Sequence, residues 1–317
     1  MKFCRLIILL AIAVAVSANA QTDFSLAWWN VENFFDPHDN PATADDDFTP
    51  QGEYRWTYRK MCAKRDSVYK VVAAMGCPDI VALAEVENDT VMQELYLGTP
   101  LRKAGYKYVI TSTPDNRGIG SAVMYRSSFT VDTAYDIPVV GSRSIFVVAG
   151  HLADGRHLIV LANHWASRRN GGGERRIEAA KTLRKTMSDL RHELPSACIV
   201  AMGDMNCTDD ESPIAVAMGF GDSCRNADGA ELLTCRLSAG EFSYYYQELW
   251  QNIDHTVLML PENGHFGVDS YHVFAPDFMF VEHRTRLGRQ PYRTHNGRRY
   301  QGGFSDHLPL LLTLKIE

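Results

Sequence analysis

The sequence predicts an α/β protein made of two packed, largely antiparallel sheets flanked by helices. Runs rich in Val, Ile, Leu or aromatic residues fall at 24–29, 79–84, 107–111, 120–126, 144–149, 157–163, 197–202, 254–260 and 309–315, the composition of strands. Several are apolar at consecutive positions, so they must be covered on both faces. Helical patterns are fewer than strands and many successive strands lack one between them, which argues against a doubly wound parallel sheet.

Taken in order, the first run ends in WWNVEN at 28–33, where Asn30 and Glu32 follow the apolar stretch. The next segment holds Pro37, Pro41, Pro50 and Gly52 around the acidic run Asp45, Asp46 and Asp47, the pattern of a solvated loop. A helix is expected over 59–75, where Val68, Val71, Val72 and Met75 step by three and four and Gly76 with Pro78 closes the element. VALAEVEN at 81–88 is a strand that ends at Glu85, and VLANHWASR at 160–168 ends at His164. A second helix over 174–194 repeats the spacing with Ala180, Leu183, Met187, Leu190 and Leu194. The apolar run before GDMN at 203–206 makes Asp204 and Asn206 project from a strand tip, and NIDHTVLM at 252–259 places Asp254 at another. FSDHLPLL at 304–311 reverses the order, with Asp306 and His307 ahead of the strand. The stretch 283–299 carries six arginines and no acid. It reads as a solvated loop or, through Arg298 and Arg299 near Asp306, as a phosphate contact. Arg168 and Arg169 read as surface charges, and of Trp28 and Trp29 at least one belongs to the core.

Lys2 and Arg5, the apolar run 6–16 and Ala18-Asn19-Ala20 have the form of a signal peptide over 1–20. The expectation is an exported chain, periplasmic or secreted, with one domain over 21–317. No later stretch approaches the roughly 20 apolar residues of a membrane helix. The formal charge is -6, more negative still without Lys2 and Arg5, so no global positive field holds a polyanion. Beyond Cys4 there are Cys62, Cys77, Cys198, Cys207, Cys224 and Cys235, whose spacing fits no zinc motif. Cys224 with Cys235 is the closest plausible disulfide pair, with other connectivities open, and Cys198 reads as a buried thiol. A monomer is expected.

Five carboxylates (Glu32, Glu85, Asp204, Asp254 and Asp306), two asparagines (Asn30 and Asn206) and two histidines (His164 and His307) thus converge from separate strand ends, as functional groups do on a rigid scaffold. Clustered carboxylates call for a hard divalent cation or a raised pKa, and Glu32, Glu85 and Asp306 suit magnesium, manganese or calcium better than zinc. Asp254 is the candidate to orient His307, Asp204 to orient water, and Asn206 to donate to phosphoryl oxygens. Each has a structural alternative when taken singly: Asn30 and Glu32 as a turn after a strand, Asp204 as a turn acid, Asp254 as a strand-edge charge, His164 as a hydrogen-bonded structural histidine. Six strand ends with the right polar residues favour the site.

In kind and order, these motifs from WWNVEN to SDH resemble the endonuclease/exonuclease/phosphatase family across nearly the whole chain. The resemblance implies a four-layer sandwich, two mixed sheets with helices outside. It implies a metal site at Asn30, Glu32, Glu85 and Asp306, with Glu85 the firmest ligand. It also implies nucleophile orientation and transition-state contact by Asp204 and Asn206, a catalytic His307 paired with Asp254, and His164 as a second histidine near the scissile phosphate. The pattern is departed from in two places: Gly120 or Ser121 stands where many bacterial relatives carry an acid, and Ala84 precedes Glu85 where nucleases of the family usually have Gln. The expected activity is Mg2+- or Mn2+-dependent phosphoester hydrolysis, Ca2+ being a third choice, with extracytoplasmic nucleic acid as substrate of a phosphodiesterase. The competitor is a hydrolase of small phosphoesters such as an inositol, sugar or lipid head group. A catalytically inactive binding module is disfavoured because Glu85, Asp204, Asn206, Asp254 and His307 are all present.

Overall fold

The computed structural model describes residues 22–168, 172–211, 224–225, 231–262, 265–283 and 287–317; the stretch 1–20 expected to be a signal peptide, Arg169, Arg284 and Arg286 lie outside them. In chain order the elements are β1 (Thr22–Phe34), α1 (Tyr58–Ala74), β2 (Ile80–Val86), α2 (Asp89–Leu97), β3 (Lys107–Ile110), β4 (Gly120–Tyr125), β5 (Phe129–Ile137), β6 (Ile145–Leu152) and β7 (His157–His164). Then come α3 (Gly173–Glu193), β8 (Cys198–Asp204), β9 (Cys224–Arg225), β10 (Glu231–Cys235), β11 (Tyr244–Tyr246), β12 (Leu249–Gln251), β13 (Asp254–Met259) and β14 (Phe266–Val273). Short pairs β15 (Phe280–Glu282), β16 (Arg289–Pro291), β17 (His295–Asn296) and β18 (Arg299–Tyr300) precede β19 (Leu310–Ile316).

One sheet runs β14-β19-β1-β2-β4-β3 and the other β5-β6-β7-β8-β13-β10-β9. Parallel pairing occurs at β1 with β2 and at β7 with β8, so both sheets are mixed and mostly antiparallel. Their central strands read as continuous apolar runs because both faces are covered. In β8, Cys198, Val200 and Met202 enter the core between the sheets, while Ile199 and Ala201 face outward under α3, against Ala179, Ala180, Leu183 and Met187. This period of two follows from the pleat, and each aliphatic side chain so buried contributes about 1.5–3 kcal/mol of transfer free energy. On the other side α1 presents Met61, Val68, Val71 and Val72 to the first sheet's core. The result is a four-layer sandwich.

The expected strands and helices are present to within a residue or a few at their ends. The missed elements had weak local signals. Most of β5 is exposed, with Phe129 buried and Val131, Asp136 and Ile137 partly covered, so its residues show no apolar run. The nine-residue α2 buries Val91, Met92 and Leu95 and is capped by Asn88, whose side chain accepts from the Val91 amide, but it is too short for a helical period to stand out. The acidic loop is not uniformly solvated. Asp45 is buried and accepts from the Asn40 amide and the Thr43 hydroxyl, and Phe48 stacks on Phe35 with ring centroids 4.1 Å apart.

Cys198 is buried, its thiol pushed up to about 12 by burial. Cys235 is a free thiol; the side chain of Cys224 lies outside the described residues. Among the described residues no helix is long and apolar enough to cross a membrane.

The topology brings the polar strand ends to one rim. Parallel pairing sets Asn30 beside Ala84 and His164 beside Asp204, so β1, β2, β7 and β8 all deliver their C-terminal ends. Antiparallel β13 enters there, with Asp254 in register with Asp204, and β19 follows Asp306 and His307 into the first sheet beside β1.

Candidate active site

At that rim the backbone leaves regular strand geometry. Glu32, Asn33, Glu85 and Asn206 have φ of 56°, 56°, 63° and 51°, and the β1–β2 and β2–β4 registers break at Glu32 and Glu85. A left-handed non-glycine residue costs about 1–3 kcal/mol and persists only where its surroundings hold it. Here the hold is visible. Asn30 Oδ1 accepts from the Glu32 amide at 3.0 Å, Glu85 Oε2 accepts from the Asn33 amide at 2.9 Å, and Asp204 Oδ1 accepts from the Asn206 amide at 3.0 Å. The strain re-aims these side chains from the sheet faces into the cavity.

Asp254 and His307 form a buried pair. His307 Nδ1 lies 2.8 Å from Asp254 Oδ2, which also accepts from Ser243 Oγ at 2.7 Å, and Asp254 Oδ1 accepts from Trp28 Nε1 at 2.8 Å. Trp29 Nε1 donates to the His307 carbonyl at 2.9 Å, and Ser305 Oγ, bonded to the Asn30 carbonyl, accepts from the His307 amide. Both tryptophans are fully buried, and both hold the dyad. Burial alone would lower the His307 pKa, but Asp254 and then Asp204 outweigh it and raise it to about 10. His307 is therefore an imidazolium at neutral pH, with Nε2 3.7 Å from Asp204 Oδ2.

The same Asp204 oxygen lies 3.6 Å from His164 Nε2 and accepts from Asn30 Nδ2 at 3.1 Å. Burial, with repulsion from Asp254, raises Asp204 to about 7, partly offset by His307. His164 is held neutral by burial and by the positive charge of Arg143 and Arg117, and its Nδ1 has no hydrogen-bond partner among the described residues. Asn206 spends one amide N–H on the Trp165 carbonyl and keeps one for the cavity it lines.

The metal candidates fall into two kinds. Glu85 lines the cavity with Oε1 3.4 Å from Asn30 Nδ2 and 3.8 Å from His164 Nε2, and Asp306 is paired through one oxygen with Arg293 Nη2 at 2.8 Å. Asn30 and Glu32, by contrast, have their acceptor oxygens engaged: Asn30 Oδ1 with the Glu32 amide, and Glu32 with the Thr294 and His295 amides and Arg293 Nε. Both line the same cavity as Glu85, and Asn30 Oδ1 and Glu32 Oε2 each accept one hydrogen bond there and keep a lone pair. Glu32 is pushed up to about 7 by burial and then by Asp306, the crowding that a dication relieves. The open donors are carboxylate oxygens, which fit a hard divalent cation. Asp204, Asp254 and His307 also offer ligand atoms within 4.8 Å of one another. Asp254 there already accepts from Trp28 and Ser243 and pairs with His307, whose pKa it raises, so the trio contains an acid–imidazolium pair.

Arg298 and Arg299 are not brought to the reacting centre. Arg298 is 80% exposed and paired with Glu53, and Arg299 lines a neighbouring cavity on the far side of Arg293 and Asp306. They sit on the β17–β18 turn, which projects them away, and it is Arg293 from the same stretch that enters the site. Arg168 is no mere surface charge: it donates to the Asn206 carbonyl at 3.1 Å and pairs with Glu211 at 3.1 Å. Sequence reading also missed Lys64. Its buried ammonium donates to Thr294 Oγ1 and the Phe304 carbonyl, and burial lowers it to about 8 against the pull of Glu32, Asp306 and Glu85. A lysine on the apolar face of α1, among Met61, Val68 and Val71, was the available signal. At Gly120 a Cβ would lie 2.2 Å from Thr111 Cγ2, so Thr111 fills the space that a larger residue would need.

A model of the endonuclease/exonuclease/phosphatase family matches residues 25–316. The chain belongs to that family. Members of the family are metal-dependent phosphoester hydrolases, and this chain is an enzyme of that class. Sequence comparison with curated proteins finds no match. Among solved structures, a family member from Bacteroides thetaiotaomicron superposes with a TM-score of 0.61 at 17% identity, covering 94% of this chain and 99% of the other. The D. rerio TDP2 complexed with single-strand DNA product gives 0.58 at 16%, covering 92% and 99%. The mannosyl-6-phosphatase of Bacteroides thetaiotaomicron VPI-5482 gives 0.58 at 17%, covering 92% and 99%. At these identities the likeness is one of fold, and the family's substrates differ even between these two enzymes.

Proposed function

We propose that this protein is an exported phosphodiesterase that cleaves nucleic acid with Mg2+ or Mn2+. The observation that carries this reading is the cavity, about 1090 Å3, in which the acidic centre is bordered by Arg117, Arg143 and Arg175 near His164 and by Tyr244 and Tyr246 near His307. A single phosphate occupies a small part of such a volume, whereas a chain with flanking phosphates and rings uses its cations and aromatic faces together.

In the mechanism this arrangement supports, Asp204 takes a proton from a water as its oxygen attacks phosphorus in line with the leaving ester oxygen. One P–O bond forms as the other breaks. Asn30 and the Asn206 amide hold the Asp204 carboxylate in position. The His307 imidazolium, fixed by Asp254, donates from Nε2 to a phosphoryl oxygen as negative charge builds there. The remaining Asn206 N–H donates to the same group. Glu85 and Asp306 would hold the cation, whose chemistry is Lewis-acid stabilisation of the phosphoryl and leaving oxygens.

A compact phosphoester is the second reading. Arg117 and Arg143 share Asp115, and Arg293 is held by Glu32 and Asp306, so the local positive field is modest. Purified chain from residue 21 onward is assayed on plasmid DNA, bis-nitrophenyl phosphate and nitrophenyl phosphate, with Mg2+ and with chelator. Chelator-sensitive nicking of the plasmid is expected. Cleavage of nitrophenyl phosphate with the plasmid intact assigns the compact substrate instead. A reporter fused behind residues 1–20 is expected outside the cytoplasm, and retention inside overturns the export assignment.

A further inference from the structure

The wall of the cavity formed by the 113–117 and 141–144 loops and the first turn of α3, outward of Glu85 and Asp204, carries three guanidiniums and one carboxylate, Asp115. Arg143 donates through Nε to Asp115 Oδ2 at 3.1 Å and through Nη1 to the Trp165 carbonyl at 3.2 Å, next in sequence to His164, and its Nη2 pairs with the same Asp115 oxygen at 2.9 Å. Arg117 reaches the same Asp115 oxygen more loosely, at 3.5 Å, and donates to Asn33 Oδ1 at 3.3 Å. Arg175, from the first turn of α3, makes no hydrogen bond or ion pair with a described residue. Its Cδ would lie 3.3 Å from a Cβ at Gly141, whose φ is +70°, so its stem crosses the loop that presents Arg143. All three line the cavity that holds Glu85, Asp204 and His307.

One carboxylate cannot neutralise three guanidiniums, so two positive charges remain on this wall. The acid is placed to fix Arg143, which is 17% exposed, and it leaves Arg117, at 37%, with donors to spare. The scissile phosphate does not need them, since His307, Asn206 and a cation at Glu85 and Asp306 already serve it. We propose that Arg117, Arg143 and Arg175 form a second anion subsite, which holds the phosphate next to the scissile one on the His164 side of the substrate. This inference rests on the phosphodiesterase reading and gives it a substrate class: a chain with phosphates on both sides of the cleaved bond, in preference to an isolated diester.

The test uses the dinucleotide dT-dT, which has a single phosphodiester, beside the same dinucleotide with an added phosphate at its 5′ or at its 3′ end. The wild-type protein is expected to prefer one of the phosphorylated forms by about tenfold in kcat/KM, the scale of one charge-assisted contact. Arg175→Gln and Arg117→Gln are expected each to reduce that ratio, and the double variant to bring it close to one. The salt dependence of kcat/KM on the phosphorylated dinucleotide should weaken with each cation removed. Urea midpoints check that both variants fold, and if Arg117→Gln is unstable, Arg175→Gln alone decides, because its guanidinium makes no hydrogen bond or ion pair with a described residue. Wild-type turnover that ignores the added phosphate, or a double variant that keeps the preference, overturns the subsite and leaves the phosphodiesterase reading standing. Absence of turnover on all three dinucleotides overturns both.

Discussion

Trp28 Nε1 donates to Asp254 Oδ1 at 2.8 Å, joining β1 of one sheet to β13 of the other at the acid that holds His307. Trp29, its neighbour on the opposite face of β1, bonds the His307 carbonyl. The central strand of the first sheet thus fixes both members of the dyad.

Trp28→Phe keeps most of the buried volume and removes the donor. A hydrogen bond to a charged acceptor contributes about 1.5–3 kcal/mol, and the urea midpoint should fall by a corresponding amount. With Asp254 less firmly placed, kcat should fall about tenfold. Ser243→Ala, which removes the other neutral donor to Asp254, should act in the same direction.

Glu85→Gln keeps the shape of the site but removes the carboxylate that faces the cavity. Turnover should fall at least 100-fold with the circular dichroism unchanged. The thermal upshift produced by Mn2+ in the parent, about 2.7 kcal/mol at a hundredfold excess over Kd, should shrink or vanish. Full activity in this variant sinks the ligand assignment.

Asp204 and Glu32 are each raised to about 7 and His307 to about 10. A carboxyl raised in this way contributes stability that is complete below its unfolded pKa near 4 and is lost as pH rises through about 7; the His307 contribution is complete below about 6.5 and lost as pH rises through about 10. In chelator the urea midpoint should therefore decline from pH 5 to 8, and Asp204→Asn should flatten that decline. His307→Gln should flatten the further decline above pH 8 and reduce turnover about 1000-fold, the scale of removing an oxyanion donor.

Lys64→Met leaves Glu32 beside Asp306 with one fewer cation. Breaking a buried charge network costs about 3–5 kcal/mol, part of which saturating Mg2+ or Mn2+ should restore by replacing the lost charge. Thermal melting with and without the ion reads this directly: a larger ion-induced shift in the variant than in the parent is expected, and equal shifts would show that Lys64 does not share the charge of that cluster.

What the sequence by itself determined was the set of strand ends and what each one carries. Apolar runs report burial through their period, and a polar residue that closes such a run must lie at a rim, so Glu85, His164, Asp204, Asp254 and His307 were legible without coordinates. Residues whose role depends on a distant partner were not. Nothing local separates Arg293, which reaches Glu32 and Asp306, from Arg298, which turns outward to Glu53. Nor does local pattern show that the acceptor oxygens of Asn30 and Glu32 already accept hydrogen bonds, since Glu32 meets Thr294 across 262 positions of sequence. Trp28 likewise reads only as apolar until Asp254, 226 residues away, takes its N–H. Periodicity is a property of one segment, whereas a hydrogen bond or ion pair is a property of two. Only the tertiary structure, by closing one sheet over the other, decided which groups were already paired and which were left for chemistry.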